Sequence, residues 1–251
     1  MSTKRDFTRQ RPKALVFDLM GTCCDWLSSL LPALRSNPTL EMLPPSSLSK
    51  FATDWRAGFF EEIHAHFQAG TPAEDIDITH RRVLDRLLLA RGVDLTMWGE
   101  DARQKLVDQW HIQIGWPDAL PALLRLRERH FIVVLANGTT RLQLDIAKSS
   151  GLPFHALFSS QLLGLTKPDP AIYQKVMELM QLAPNDCVMV AAHAYDLRAA
   201  KAVGMRTVYI QRTTEDLDED MAAIQNEVDI FIDGTSGHVP HGLGELADIL
   251  A

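Results

Sequence analysis

Long apolar runs are missing from this chain of 251 residues. No segment approaches the roughly 20 consecutive apolar residues of a membrane-spanning helix, so a membrane partner is not expected. Basic residues are in deficit: 25 Lys and Arg stand against 32 Asp and Glu, for a net charge of −7. Phosphate backbones are held by clustered Lys and Arg, so nucleic acid is not the expected partner either. The basic start, with Lys4, Arg5, Arg9 and Arg11, lacks the apolar run of a signal peptide and reads as a disordered tail. Cysteine is scarce. Cys23, Cys24 and Cys187 are odd in number, and adjacent cysteines rarely bridge, so no disulfide framework follows. Cys23 and Cys24 read either as reactive thiols near a pocket or, more plainly, as small packing residues after a turn. These absences point to a soluble, cytoplasmic protein.

What is present is ordinary globular material, 46% hydrophobic and 23% charged, in a chain long enough for one core plus an inserted module. The first strong signal is Ala14-Leu15-Val16-Phe17, an apolar run ending in Asp18 and followed by the turn residues Gly21 and Thr22. A parallel strand covered by helices on both faces looks like this. Helical spacing then takes over. Leu27, Leu30, Leu31 and Leu34 recur until Pro44-Pro45, and Ser46 to Phe67 is amphipathic with Phe51, Trp55, Phe59 and Phe60. After a break at Gly70-Thr71-Pro72, Val83, Leu84, Leu87 and Leu88 mark a helix ending at Gly92. A last one runs through Leu106 and Trp110 to Gly115-Trp116-Pro117.

From Asp118 helices and strands alternate. Strands are expected at Phe131 to Leu135, Ala156 to Phe158, Cys187 to Val190, Val208 to Ile210 and Asp229 to Ile232. Helices are expected at Leu120 to Arg129, Leu142 to Ser150, Leu197 to Val203 and Leu243 to Leu250, with another opened by Lys167-Pro168-Asp169-Pro170 and running through Met180. This alternation predicts an α/β fold, a Rossmann-like doubly wound parallel sheet. Residues 1–23 and 116–251 form its core, and an inserted α-helical cap occupies 24–115.

In such sheets the functional crevice lies beyond the carboxyl ends of the strands. Four such ends are polar here: Asp18, Asn137, the loop before Lys167, and His193 through Asp196. Singly each is weak, since an Asp after a strand is often a helix cap and an isolated His is more often structural. Together, in this order, they are the place to look for chemistry. A carboxylate at a strand end can attack an electrophile and carry a covalent intermediate. Lys167 would keep it ionised, and Thr22 would hydrogen-bond it.

Phe17-Asp18-Leu19-Met20-Gly21-Thr22, Asn137-Gly138, Lys167-Pro168-Asp169-Pro170 and Ala191-Ala192-His193-Ala194-Tyr195-Asp196 resemble, in order, the four motifs of the haloacid dehalogenase superfamily. The resemblance runs from about Lys13 to Arg212, and it implies that Asp18 is a covalent nucleophile. Most of that superfamily are magnesium-dependent phosphatases, with a general-acid Asp two residues after the nucleophile. Met20 stands at that position. The loss is worth about 10²–10⁴ in rate. A metal-binding carboxylate of the fourth motif falls on Ala192, so neither metal nor cofactor is expected.

Type II 2-haloacid dehalogenases depart from the phosphatase pattern at the same two places, and the chain most resembles them. The resemblance implies displacement of halide from a 2-haloalkanoic acid, with Asp18, Lys167, His193 and Asp196 catalytic. It makes Thr22, Arg56, Asn137, Tyr173, Tyr195 and Met20 substrate-binding. Trp55-Arg56 is similar to the family's halide-binding segment, with Phe51 and Phe59 as a pocket wall. His193 is expected to position or deprotonate the hydrolytic water, with Asp196 orienting it. Three departures bear on substrate. Ala136 and Ala191 replace serines, with Thr139 or Thr140 as candidates to compensate, and His193 replaces an asparagine. Three alternatives stay open: a phosphatase with unusual ligands, a hydrolase of a non-halogenated substrate in a biosynthetic pathway, and an inactive binding protein. An apolar cap face would support a homodimer.

Overall fold

The computed structural model describes residues 7, 10–37, 40, 45–71, 74–96, 98–235 and 241–250. The chain divides into two compact units, one formed by Met1–Asp25 with Gly115–Ala251 and the other by Trp26–Ile114.

The larger unit is built on a parallel sheet of six strands: β1 (Ala14–Phe17), β2 (Phe131–Ala136), β3 (Ala156–Ser159), β4 (Cys187–Ala191), β5 (Arg206–Gln211) and β6 (Ile230–Asp233). Their order is β3-β2-β1-β4-β5-β6, the doubly wound arrangement. Strand β1 is buried at every position and central, with Phe17 beside Val134 of β2 and Val190 of β4. The order reverses between β1 and β4, so the residues following these two strands meet at the switch point where such sheets bind ligands.

Successive strand residues face opposite sides. On one side Val16, Val133, Leu135, Met189 and Tyr209 pack with Ile172, Val176, Leu197 and Ala200 from the helices Pro170–Met180 and Ala194–Ala202. The helices Ala119–Leu126 and Leu243–Leu250 pack against each other. At ~25 cal/mol per Å² of buried apolar surface, this core is the main stabilising term of the unit.

Strand β5 starts two residues before the predicted Val208. The helix expected from Leu197 begins earlier too, at Ala194, where the Asp216 carboxylate accepts the Ala194 amide. The expected helix to Arg129 stops at Leu126. The helix Met221–Glu227 was not expected; only Ile224 of it is buried, so it has no apolar period, and Asp220 nucleates it by accepting from the Ala222 and Ala223 amides.

The basic start is only partly described, and Lys4, Arg5 and Arg9 lie outside the described residues. Phe7, however, is fully buried with the Arg206 guanidinium 4.6 Å from its ring centroid, so the expectation of a wholly disordered tail is corrected.

In the second unit the helices Trp26–Arg35, Pro45–Gln68, Ile76–Ala90 and Glu100–Asp108 pack in sequence around Trp26, Trp55, His80 and Trp110. The predicted break at Pro44-Pro45 falls where Pro45 opens a helix, a position that needs no amide donor. Pro44 and Pro72 lie outside the described residues. No helix among the described residues is long and apolar enough to cross a membrane.

Candidate active site

Asp18 directly follows β1, and its amide donates to the Val190 carbonyl at 3.0 Å. That bond continues the ladder one residue past Phe17 and fixes the carboxylate at the carboxyl end of the sheet. Gly21 turns the chain behind it with φ of +85°, a conformation that favours glycine. Glycine is needed there for a second reason: an added Cβ would lie 2.4 Å from the Glu215 carboxyl carbon.

Three side chains donate to the buried Asp18 carboxylate. Lys167 Nζ reaches Oδ1 at 2.9 Å, while Thr22 Oγ1 reaches Oδ2 at 2.7 Å and His193 Nδ1 reaches Oδ2 at 3.2 Å. Thr22 is aimed by accepting the Ala192 amide at 2.9 Å. Burial alone would raise the Asp18 pKa. The Lys167 charge and the His193 hydrogen bond outweigh it and hold the carboxyl far below the usual carboxylate range.

Lys167 is itself buried and donates also to Asp196, which accepts in turn from the Tyr173 hydroxyl. Burial would lower the Lys167 pKa, but Asp18 and Asp196 raise it, so it stays an ammonium. Asn137 clamps the lysine's backbone from both sides, accepting its amide at 2.8 Å and donating to its carbonyl at 3.1 Å. The amino group is thereby held between two carboxylates by a chain of charge-assisted bonds.

His193 follows β4 and bridges two carboxylates: Nδ1 faces Asp18, and Nε2 faces Glu215 Oε2 at 2.7 Å. Burial would depress its pKa, yet the hydrogen bonds and charges of Asp18 and Glu215 lift it to about 10.

The family model described as haloacid dehalogenase-like hydrolase matches residues 12–204. The chain belongs to that family. It is a haloacid dehalogenase-like hydrolase with the Rossmann-like core and helical cap of its relatives. A crystal structure of an L-2-haloacid dehalogenase is 29% identical and superposes with a TM-score of 0.81 over 95% of this chain and 98% of that one. The (S)-2-haloacid dehalogenase 4A of Burkholderia cepacia is 29% identical over 50% of this chain. A phosphatase of Mycobacterium tuberculosis is 34% identical over 52% of it. The chain spans 56% and 61% of the length of those two relatives. Relatives of both activities thus resemble this hydrolase.

The larger unit brings Asp18, Thr22, Asn137, Lys167, Tyr173, His193 and Asp196 of the expected site into one hydrogen-bonded network. Tyr195 adds its ring 5.9 Å from that of His193, and Met20 is half-buried beside the nucleophile's turn. Several roles differ from expectation. Thr22 and Tyr173 are fully buried, and their hydroxyls donate to Asp18 and Asp196, which adds a positioning role to the substrate-binding one expected of them. The Asn137 side chain braces the Lys167 backbone through its oxygen and one amide hydrogen, which leaves the second hydrogen for a substrate. Asp196 does not orient His193; it is bonded to Lys167 and Tyr173, and Glu215 takes that place. Nor do Thr139 and Thr140 compensate for Ala136: one caps the helix Thr140–Ser150, and the other bonds Ser159.

Arg56 belongs to the helical unit. Its guanidinium lies over the Trp26 and Phe60 rings, 4.9 Å from each centroid, in two cation–π contacts. Phe60, four residues on, shares its helical face, whereas of the expected wall residues Phe51 meets Trp55 edge-on and Phe59 stacks on His80. Cys23, Cys24 and Cys187 are buried free thiols, with burial pushing Cys24 up to about 12 and Cys187 to about 11, so they are packing residues.

Glu215 and Arg212 escaped the sequence reading. Arg212 makes a bidentate pair with Asp118 at 3.0 and 2.9 Å and donates to the Thr22 carbonyl at 3.2 Å, bracing the nucleophile's loop. Both residues follow β5. The rule of polar strand ends, extended to one more strand, finds them.

Proposed function

We propose that this hydrolase is a metal-independent 2-haloacid dehalogenase in which Asp18 displaces halide from the carbon beside a carboxylate and forms an ester that water then cleaves. The observation that carries the proposal is the environment of Asp18, whose two oxygens accept from Lys167, Thr22 and His193. Two of those donors are cations. Magnesium wants several oxygen ligands in octahedral array. The Asp18 carboxylate flanked by an ammonium and an imidazolium does not fit it, and Ala192 and Met20 supply no carboxylate in compensation. Among the described residues no cluster of three or more His, Cys, Asp or Glu suits a metal.

An ionised carboxylate of depressed pKa is always ready to attack, and a halide leaves without a proton. A Met at position 20, with no acid to offer, is therefore no handicap to dehalogenation, while it removes a large factor from phosphate ester cleavage. Arg56, whose guanidinium lies over the Trp26 and Phe60 rings, is our candidate for receiving the halide. Ala136 and Ala191 favour an acid other than the simplest 2-haloacids, since two hydroxyls that would bind the substrate carboxylate are absent. We place the enzyme in the cytoplasm, where buried free thiols stay reduced. Ile78 and Leu89, exposed three turns apart on one helix, support a homodimer.

Halide release from a panel of 2-haloacids, run beside phosphate release from a generic ester with and without EDTA, tests the proposal. Halide release indifferent to EDTA is expected. Turnover that appears only as phosphate release and vanishes on chelation makes the protein a phosphatase, and no turnover of either kind overturns the dehalogenase reading in favour of a hydrolase of a non-halogenated substrate or a binding protein.

A further inference from the structure

We propose that Glu215 holds His193 as a permanent cation so that its Nδ1–H stabilises the oxyanion that forms on Asp18 Oδ2 while the enzyme ester is hydrolysed. The inference rests on the Asp18 ester proposed above. It makes His193 a catalytic donor and Glu215 its positioning residue.

A neutral imidazole carries one donor nitrogen and one acceptor. Here both ring nitrogens face carboxylate oxygens, which only accept, so both carry protons. A ring in that state has no lone pair to take a proton from water. It can only donate, and it donates to the reacting group.

The two oxygens of Asp18 are held differently. Oδ2 accepts from Thr22 and His193, and Oδ1 accepts from Lys167. Oδ1 attacks the substrate carbon, the carbon–halogen bond breaks with its electron pair on the halide, and Oδ2 becomes the ester carbonyl. Water then adds to Cγ, and the carbonyl pair moves onto Oδ2. Collapse restores the carbonyl, breaks the Cγ–Oδ1 bond and releases the 2-hydroxyacid. One water proton ends on the product hydroxyl and the other leaves to solvent. The full negative charge thus appears on Oδ2, between the Thr22 hydroxyl at 2.7 Å and the His193 Nδ1 at 3.2 Å. A charge-assisted bond closes to about 2.7–2.9 Å, so the His193 bond has room to tighten as the charge on Oδ2 grows from that of a shared carboxylate to a full oxyanion.

Glu215 matters because of what alkylation does to charge. In the resting enzyme two anions support the imidazolium. Once the ester forms, Asp18 is neutral, and the cation would lose its proton as it becomes useful. Glu215 is the partner that remains. Its own position is fixed by the Thr214 hydroxyl at 2.9 Å and by the space that Gly21 leaves. The other groups facing the ring do not replace it. Lys167 stands across Asp18 with a positive charge, Tyr195 is on the ring's own helix, and Asp216 accepts the Ala194 amide at 2.6 Å.

The test uses the full chain with (S)-2-bromohexanoate, a larger 2-haloacid, as probe, quenched rapidly, with the ester followed by intact mass from about pH 6 to about pH 10. In the wild type the hydrolysis rate should be level through neutrality and fall in the alkaline range. Glu215→Gln should accumulate ester, hydrolyse it about tenfold or more slowly, and begin its alkaline fall at lower pH; loss of a whole oxyanion donor costs about 10²–10³. A wild-type rate that climbs with pH through neutrality, or a Gln variant with the wild-type profile, overturns the proposal. Absence of any ester in the wild type defeats the Asp18 reading itself and is seen before the variant is examined. Nitrogen NMR of the resting wild type needs neither substrate nor variant: both His193 ring nitrogens should stay protonated at about pH 8, and a ring titrating near its ordinary value of ~6.5 would refute the permanent cation.

Discussion

Replacing Lys167 with Met removes the one ammonium that touches both Asp18 and Asp196, and leaves a side chain of similar length. Lys167 and Asp196 are essentially inaccessible to water, and Asp18 nearly so. Breaking a buried pair from one side costs ~3–5 kcal/mol, because the abandoned charge keeps its desolvation penalty. Two carboxylates are abandoned here. His193 and Thr22 still serve Asp18, so the larger share falls on Asp196, which keeps the Tyr173 hydroxyl as a donor. Burial already holds the Asp196 carboxyl above the ordinary ~3.9 of an unfolded chain, and loss of the Lys167 charge should raise it further. The folded variant would bind more protons than the unfolded one, so its stability must fall as pH rises, through the range between those two values. Urea denaturation of both proteins, followed by circular dichroism at about pH 5 and about pH 7.5, measures the difference. We expect Lys167→Met to be destabilised by ~3–5 kcal/mol at the higher pH and by at least ~1 kcal/mol less at the lower one. A loss below ~1 kcal/mol, or one equal at both pH values, would show that the bridge does not carry the charge balance described here.

Gly21→Ala should impose ~1–2 kcal/mol of backbone strain at its positive φ and push the Glu215 carboxylate off His193. Its ester hydrolysis should therefore show the same early alkaline fall as Glu215→Gln, and an unshifted profile would separate Gly21 from that pair. Arg56→Ala should cost at least tenfold in halide release, ~1.4 kcal/mol of barrier; unchanged turnover would remove Arg56 from halide handling. Cys23 and Cys24, buried and with raised pKa values, should resist iodoacetamide in the folded protein. Labelling of either at the rate of a free thiol would contradict their packing role.

The parts legible in the sequence are those where a single local pattern decides the outcome. Ala14–Phe17 is buried on both faces, and only a central parallel strand asks for four consecutive apolar residues ended by Asp. Lys167 and Asp18 are far apart in sequence, yet each ends a segment at the same edge of the sheet, so the topology alone puts them within reach. What stayed hidden depends on tertiary partners. Glu215 sits in an irregular loop with no period to announce it, and its meaning comes from His193, 22 residues earlier. Tyr173 reads as a substrate contact from its place after Lys167-Pro168, and only the fold shows its hydroxyl donating to Asp196. The protonation of His193 was also out of reach, since an unperturbed ring suits a base and only the two facing carboxylates make it a cation.

The central claim is that Asp18 forms the ester, and a single turnover in heavy-oxygen water tests it most directly. A nucleophilic carboxylate gives one of its own oxygens to the product and regains one from solvent, whereas a general base leaves its oxygens untouched. Enzyme in excess over a 2-haloacid should yield unlabelled first product and a peptide containing Asp18 heavier by one exchanged oxygen. Label in the first product with an unlabelled Asp18 would contradict the account.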